Sequence, residues 1–178
     1  MSTTLTFDDV HYRHWTPADR RALELAGSSL PRLCDIALEV KSRMPEEIHL
    51  ISGSITSGGV GSIEGNWLVF RRTIEHLIVH ERLNVFSVHP FQAGMHSYHT
   101  EWARRAKPGD YCWDILFEFY LPFFTSCTSA MFHFIHGYES SRGATWEHQQ
   151  CLGRGFKRRY LPAELSAALL EKPVILEV

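Results

Sequence analysis

The 178-residue chain has little charge of either sign in excess: 18 Lys and Arg stand against 20 Asp and Glu, a formal net charge of -2. So balanced a composition gives no electrostatic footprint for wrapping a nucleic acid polymer or docking on an anionic membrane. No uninterrupted apolar run approaches the roughly 18 residues of a membrane span. The first residues carry neither a basic cluster nor an apolar stretch, so no secretory signal is expected. Cysteine is scarce, and Cys34, Cys112, Cys127 and Cys151 lie far apart with no Cys-x-x-Cys pair. Reduced, buried thiols in a cytoplasmic protein are therefore expected, not a disulfide framework or a metal knuckle. Repeats and low-complexity tracts are also missing. What is there is an ordinary globular mixture, 44% hydrophobic and 21% charged, at a length that suits one domain of about 150 residues or slightly more.

Residues 1–46 are polar and charged and read as an N-terminal helical extension. Thr16-Pro17-Ala18-Asp19 is a capped helix start, and Leu30, Leu33, Ile36, Ala37 and Val40 recur at helical spacing. From residue 47 to 178 the texture changes to alternating strands and helices. Strands are expected at 48–51, 85–88, 130–135 and 174–176. Helices are expected from Asn66 as N-cap through Ile78, through Trp102 and Ala103 toward Pro108, from Asp110 to Leu121 with Pro122 as a stop or kink, from Gly143 to Leu152, and from Pro162 to Leu170. Apolar strands alternating with helices predict an α/β fold, a single-domain parallel sheet of flavodoxin/Rossmann type with helices on both faces. Sites in such folds lie beyond the carboxyl ends of the strands, which selects the loops 52–66, 89–99 and 137–145.

Two carboxylates fall in informative places. Glu147 follows the segment from Gly137 to Trp146 between a strand and a helix, where it reads either as a dipole partner of the helix start or as an acid projecting into the cleft. Asp114 and Glu118 interrupt a run of 12 residues, 113–124, of which 9 are apolar. They read either as a narrow solvated stripe or, for Asp114, as a cleft carboxylate set by an apolar wall. The glycines from Gly53 to Gly65 suit a loop that closes over a ligand.

Ile51-Ser52-Gly53-Ser54-Ile55, Asn66 and Phe70, His89-Pro90, and Gly137-Tyr138-x-x-Ser141-x-Gly143-Ala144-x-x-Glu147 together resemble the nucleoside 2-deoxyribosyltransferase-like superfamily. That superfamily includes nucleoside deoxyribosyltransferases and 2'-deoxynucleoside 5'-phosphate N-hydrolases, and the resemblance spans residues 48–178. It implies cleavage of the N-glycosidic bond of a nucleoside or nucleotide, with Glu147 attacking C1' and Asp114 assisting departure of the base. It also implies that Ser141 binds the 5' end, that Gly53, Ser54 and Ile55 lie against base and phosphate, and that no cofactor takes part. Asn66, His89 and Gly143 complete the substrate-binding set, and a homodimer or higher homo-oligomer is expected. Thr56 departs from the hydrolases, which carry a basic residue there.

His96-x-x-His99, His133-x-x-His136 and His76-x-x-x-His80 have spacings compatible with metal ligation, but no carboxylate or cysteine completes a set, so no metal is expected. The basic run from Arg154 to Tyr160 reads as a solvated loop or subunit contact. A nucleotide-binding module without turnover and a TIR-like NAD hydrolase are the competing readings of the same cleft.

Overall fold

The computed structural model describes residues 5–55 and 58–171. The expected strand at 174–176 lies outside the described residues. The chain is mixed α/β and divides into two compact units that interleave along the sequence. One takes the residues up to Val10, Glu47–Ser87 and those from Ser129 onward; the other takes His11–Glu46 and Val88–Thr128. No helix among the described residues is long and apolar enough to cross a membrane.

The α/β unit is built on an open parallel sheet of β1 (Glu47–Ser52), β2 (Ser129–Phe134) and β3 (Lys157–Tyr160), in the order β1-β2-β3. In register, Ile51 lies opposite His133 and His133 opposite Arg159. Buried Ile48, Leu50, Ala130, Phe132 and Phe134 supply its apolar centre. The expected strand at 85–88 is reduced to a single parallel bridge, His49 to Val85. His49 N–H donates to Asn84 O and Phe86 N–H to His49 O, both on the edge of β1 away from β2. Val88 already has helical backbone angles and starts the 3-10 turn His89–Phe91, so the chain leaves the sheet after one bridge. The basic run holds a further correction. Gly155, left-handed at φ 69°, ends the preceding helix, and Lys157–Tyr160 is a strand, not a loop. Buried Phe156, stacked on Phe132, and buried Leu161 anchor its two ends. Two of its charged side chains are matched outside the core, Lys157 with Glu47 at 2.7 Å and Arg159 with Glu81.

Among the described residues four α-helices accompany the sheet in this unit: α1 (Phe7–His11, shared at its last residue with the other unit), α4 (Ile63–Val79), α7 (Arg142–Arg154) and α8 (Ala163–Glu171). Ser62, not Asn66, caps α4, accepting from Gly65 N–H at 3.0 Å. Asn66 lies inside the helix and is buried. Arg72 on α4 donates to the carbonyls of Leu169 and Leu170 at 2.6 and 3.1 Å, satisfying the last turn of α8.

The other unit is helical: α2 (Pro17–Ala26), α3 (Leu30–Ser42), α5 (Gln92–Ala103), a π-helical segment (Ile115–Tyr120) and α6 (Leu121–Thr125). Thr16 forms the expected capping box with Asp19, and Arg43 pairs with the same carboxylate. Leu30, Leu33, Cys34, Ala37 and Val40 form the buried stripe of α3. Cys34 donates to Phe119 O at 3.4 Å, and Phe91, Phe119 and Phe123 pack ring to ring. Pro122 does not stop the helix. The π turn before it, with Leu121 N–H reaching Leu116 O, widens the coil where the proline ring would otherwise meet a carbonyl. α5 ends at Ala103, short of the expected Pro108. All four cysteines are buried and none forms a disulfide.

Two glycines inside helices test this packing in opposite directions. A Cβ at Gly94 would lie 2.6 Å from Gly27 O and 2.8 Å from Leu33 Cδ1, whereas one at Gly153 meets nothing within 4 Å. Gly94→Ala is expected to cost about 1–3 kcal/mol by forcing α5 away. Gly153→Ala should gain about 0.5–1 kcal/mol from helix propensity. Chemical denaturation of both variants checks the pair, and a neutral Gly94→Ala would contradict the close approach.

Candidate functional site

The carboxyl ends of β1 and β2 bring together most of the residues singled out in the sequence. Gly53 leaves β1 so close to the chain after β2 that a Cβ there would lie 2.9 Å from Ile135 Cδ1, so only glycine fits without a shift. Ser54 Oγ lies 3.2 Å from Ser140 Oγ. The glycine turn that follows is held by two side chains. Ser140 Oγ accepts from Gly59 N–H at 3.1 Å and donates to Gly137 O at 2.7 Å. Asn66 accepts from Val60 N–H at 2.8 Å and donates to Ile55 O and Gly58 O at 3.2 and 3.0 Å. Gly58 and Gly59 are left-handed, at φ 70° and 61°, and a Cβ on either would collide with Ser140 or Asn66. The part of the loop expected to close as a lid is thus bound to α4 and to the segment after β2 by polar contacts.

Glu147 stands on α7, beyond its first turn, and is only 8% exposed. The helix-start reading of this acid therefore does not apply. Burial pushes its carboxyl up to about 7. The Ser52 hydroxyl at the end of β1 pulls the other way, although it makes no hydrogen bond of ordinary geometry. One turn on, burial and then the charge of Glu147 push the Cys151 thiol up to about 12. Ser141 is the N-cap of α7, its hydroxyl accepting from Ala144 N–H at 3.3 Å, and buried Gly143 forms part of the first turn.

A cleft of about 600 Å³ opens in the same unit, within the size range of small-molecule sites. The loops after β1 and β2 line it, chiefly through Ser54, Gly59, His136, Glu139 and Ser140; Asn66 and Val69 come from α4, and small residues from α8. Of the predicted site residues, Ser54 and Asn66 are on this lining; Gly53, Ile55, Ser141, Gly143 and Glu147 are not. Sequence reasoning missed Ser140 and Glu139. The signal for both was the 3-10 turn Tyr138–Ser140, set by left-handed Gly137 immediately after the strand.

Asp114 and His89 belong to the helical unit. Asp114, half-buried, accepts a hydrogen bond from Tyr98 Oη at 2.7 Å, which holds the phenol above the ordinary tyrosine range. The His89 ring lies 4.7 Å from that of buried His11.

Of the histidines noted for their spacing, His133, His76 and His80 make side-chain contacts with other histidines. His133 Nε2 meets His49 Nδ1 at 2.8 Å, and burial pushes His133 down to about 4. His76 and His80 lie ring to ring at 5.1 Å. Among the described residues no three His, Cys, Asp or Glu side chains are grouped to hold a metal ion. Comparison with protein-family models, curated proteins and solved structures finds no match to the chain.

Two outcomes follow from these contacts. Because the Glu147 carboxyl holds its proton more tightly folded than unfolded, its contribution to stability is present below about pH 4.5 and is lost as pH rises through about 7. Glu147→Gln should therefore match the wild type near pH 4 and be more stable by up to about 3 kcal/mol near pH 8. Urea unfolding at the two pH values decides it, and comparing the two proteins cancels the opposite contribution of His133. Asn66→Ala should accelerate amide exchange at Gly58–Gly61 in hydrogen-exchange mass spectrometry; unchanged protection would contradict the tether.

Proposed function

We propose that the chain cleaves the N-glycosidic bond of a nucleoside or nucleotide, with Glu147 as the nucleophile. The observation that carries this reading is a carboxyl group buried beside Ser52 at the end of β1, in the unit that holds the cleft, with a proton affinity tuned to neutral pH. Counting the Val85 bridge as a short strand, the parallel order runs second-first-third-fourth along the chain, as in flavodoxin-like sheets. The cleft then lies at the switch point between β1 and β2, where such folds bind ligands. The resemblance of Gly137 to Glu147 to the deoxyribosyltransferase-like superfamily supports the same assignment.

In this mechanism the ionised Glu147 attacks C1', the C1'–N bond breaks, and the bonding pair leaves with the base, which takes a proton from water. Water or a second base then displaces the glutamyl ester. The nucleophile works only as the carboxylate, so base release should rise with pH through about 7 and level off above it. A second reading, a nucleotide-binding module without turnover, is favoured by one observation: Glu147 is absent from the cleft lining.

Incubation with nucleosides, 5'-mononucleotides and NAD, followed by chromatography for free base, separates the readings. Base release is expected from a nucleoside or nucleotide, falling about a thousandfold or more in Glu147→Gln. Binding without release would favour the module, release from NAD alone would favour the TIR-like reading, and near-normal release by Glu147→Gln would remove the covalent mechanism.

A further inference from the structure

The charge of the cleft bears on which substrate enters it, an inference that rests on the nucleoside reading above. Its described lining carries one carboxylate, Glu139, and neither lysine nor arginine. Several donors around it are already engaged. Asn66 spends both ends of its amide on the glycine turn, and Gly59 N–H is bonded to Ser140. Ser141 occupies Ala144 N–H at the start of α7, and Arg72, the cation against α8, is bound to that helix's last carbonyls. A phosphate dianion needs a cation or free backbone N–H groups. Here it would meet an acid. The hydroxyls of Ser54 and Ser166 and the imidazole of His136 instead offer hydrogen bonding of the kind that sugar hydroxyls and base edges take.

Glu139 is held in place by its turn. Gly137 is left-handed at φ 78°, Ser140 N–H donates to Gly137 O at 3.1 Å, and Thr145 Oγ1 donates to Glu139 O at 3.4 Å. We infer that the cleft takes a nucleoside with a free 5' hydroxyl in preference to its 5'-monophosphate, and that Glu139 is the residue that sets this choice.

The test is isothermal titration of the Glu147→Gln protein, which keeps the substrate intact, with adenosine, 2'-deoxyadenosine, thymidine and cytidine and with the 5'-monophosphate of each. It is run near pH 8, where an imidazole is neutral, at low ionic strength. The monophosphate is expected to bind at least about tenfold more weakly than its nucleoside, with the gap shrinking at about 0.5 M salt because Glu139 is exposed and its field is screened. Adding Glu139→Gln should close most of the gap, and adding Glu139→Lys should close or reverse it. The residue lies on an exposed turn, so circular dichroism is expected to show both variants folded. A monophosphate that binds as tightly as its nucleoside, or a ratio that neither substitution moves, overturns the inference and leaves the glycosidic reading standing. If no nucleoside and no monophosphate binds at millimolar concentration, the nucleoside reading falls and takes this inference with it.

Discussion

The parallel ladder between β1 and β2 carries the candidate site, because it sets two strand ends side by side and fixes which residues can meet beyond them. Its six paired positions run from Glu47 opposite Ser129 to Ser52 opposite Phe134, and Ile135 N–H extends it by donating to Ser52 O at 2.8 Å. With the chains this close there is no room for a Cβ at Gly53. Ser54 is brought to Ser140, and Ser52 to the helix that bears Glu147. A shift of one residue in register would turn every one of these side chains to the other face.

Burying Glu147 works against stability. An ionised carboxylate removed from water is costly unless a cation offsets it, and only burial and the Ser52 hydroxyl act on this one. The same unit matches its other charges at the sheet surface, where Lys157–Glu47 and Arg159–Glu81 are partly exposed and each contributes little. A cost of this kind fits the nucleophile role proposed for Glu147.

The elements with strong local signals were legible in the sequence. Thr16 and Asp19 announce their capping box, the stripe from Leu30 to Val40 announces α3, and the apolar runs at 48–51 and 130–135 announce β1 and β2. Failures came where tertiary context overrides composition. Lys157–Tyr160 reads as a solvated loop because its strand identity depends on Phe156 and Leu161 outside it and on ion pairs to Glu47 and Glu81, distant in sequence. Pro122 reads as a stop because a π turn leaves no mark in residue spacing. Asn66 was legible as important but not in its role, since a buried amide tying a glycine turn and an N-cap share the same residue type. The units were not legible from the composition change near residue 46, because residues 11–46 gather with 88–128.

Trapping the covalent intermediate tests the central claim most directly. Acid quenching of a turnover mixture with a reactive nucleoside, followed by intact-mass and peptide mass spectrometry, should find a pentosyl ester on the peptide containing Glu147, absent from Glu147→Gln. Release of free base with no ester on that peptide, at a rate that Glu147→Gln retains, would contradict the account.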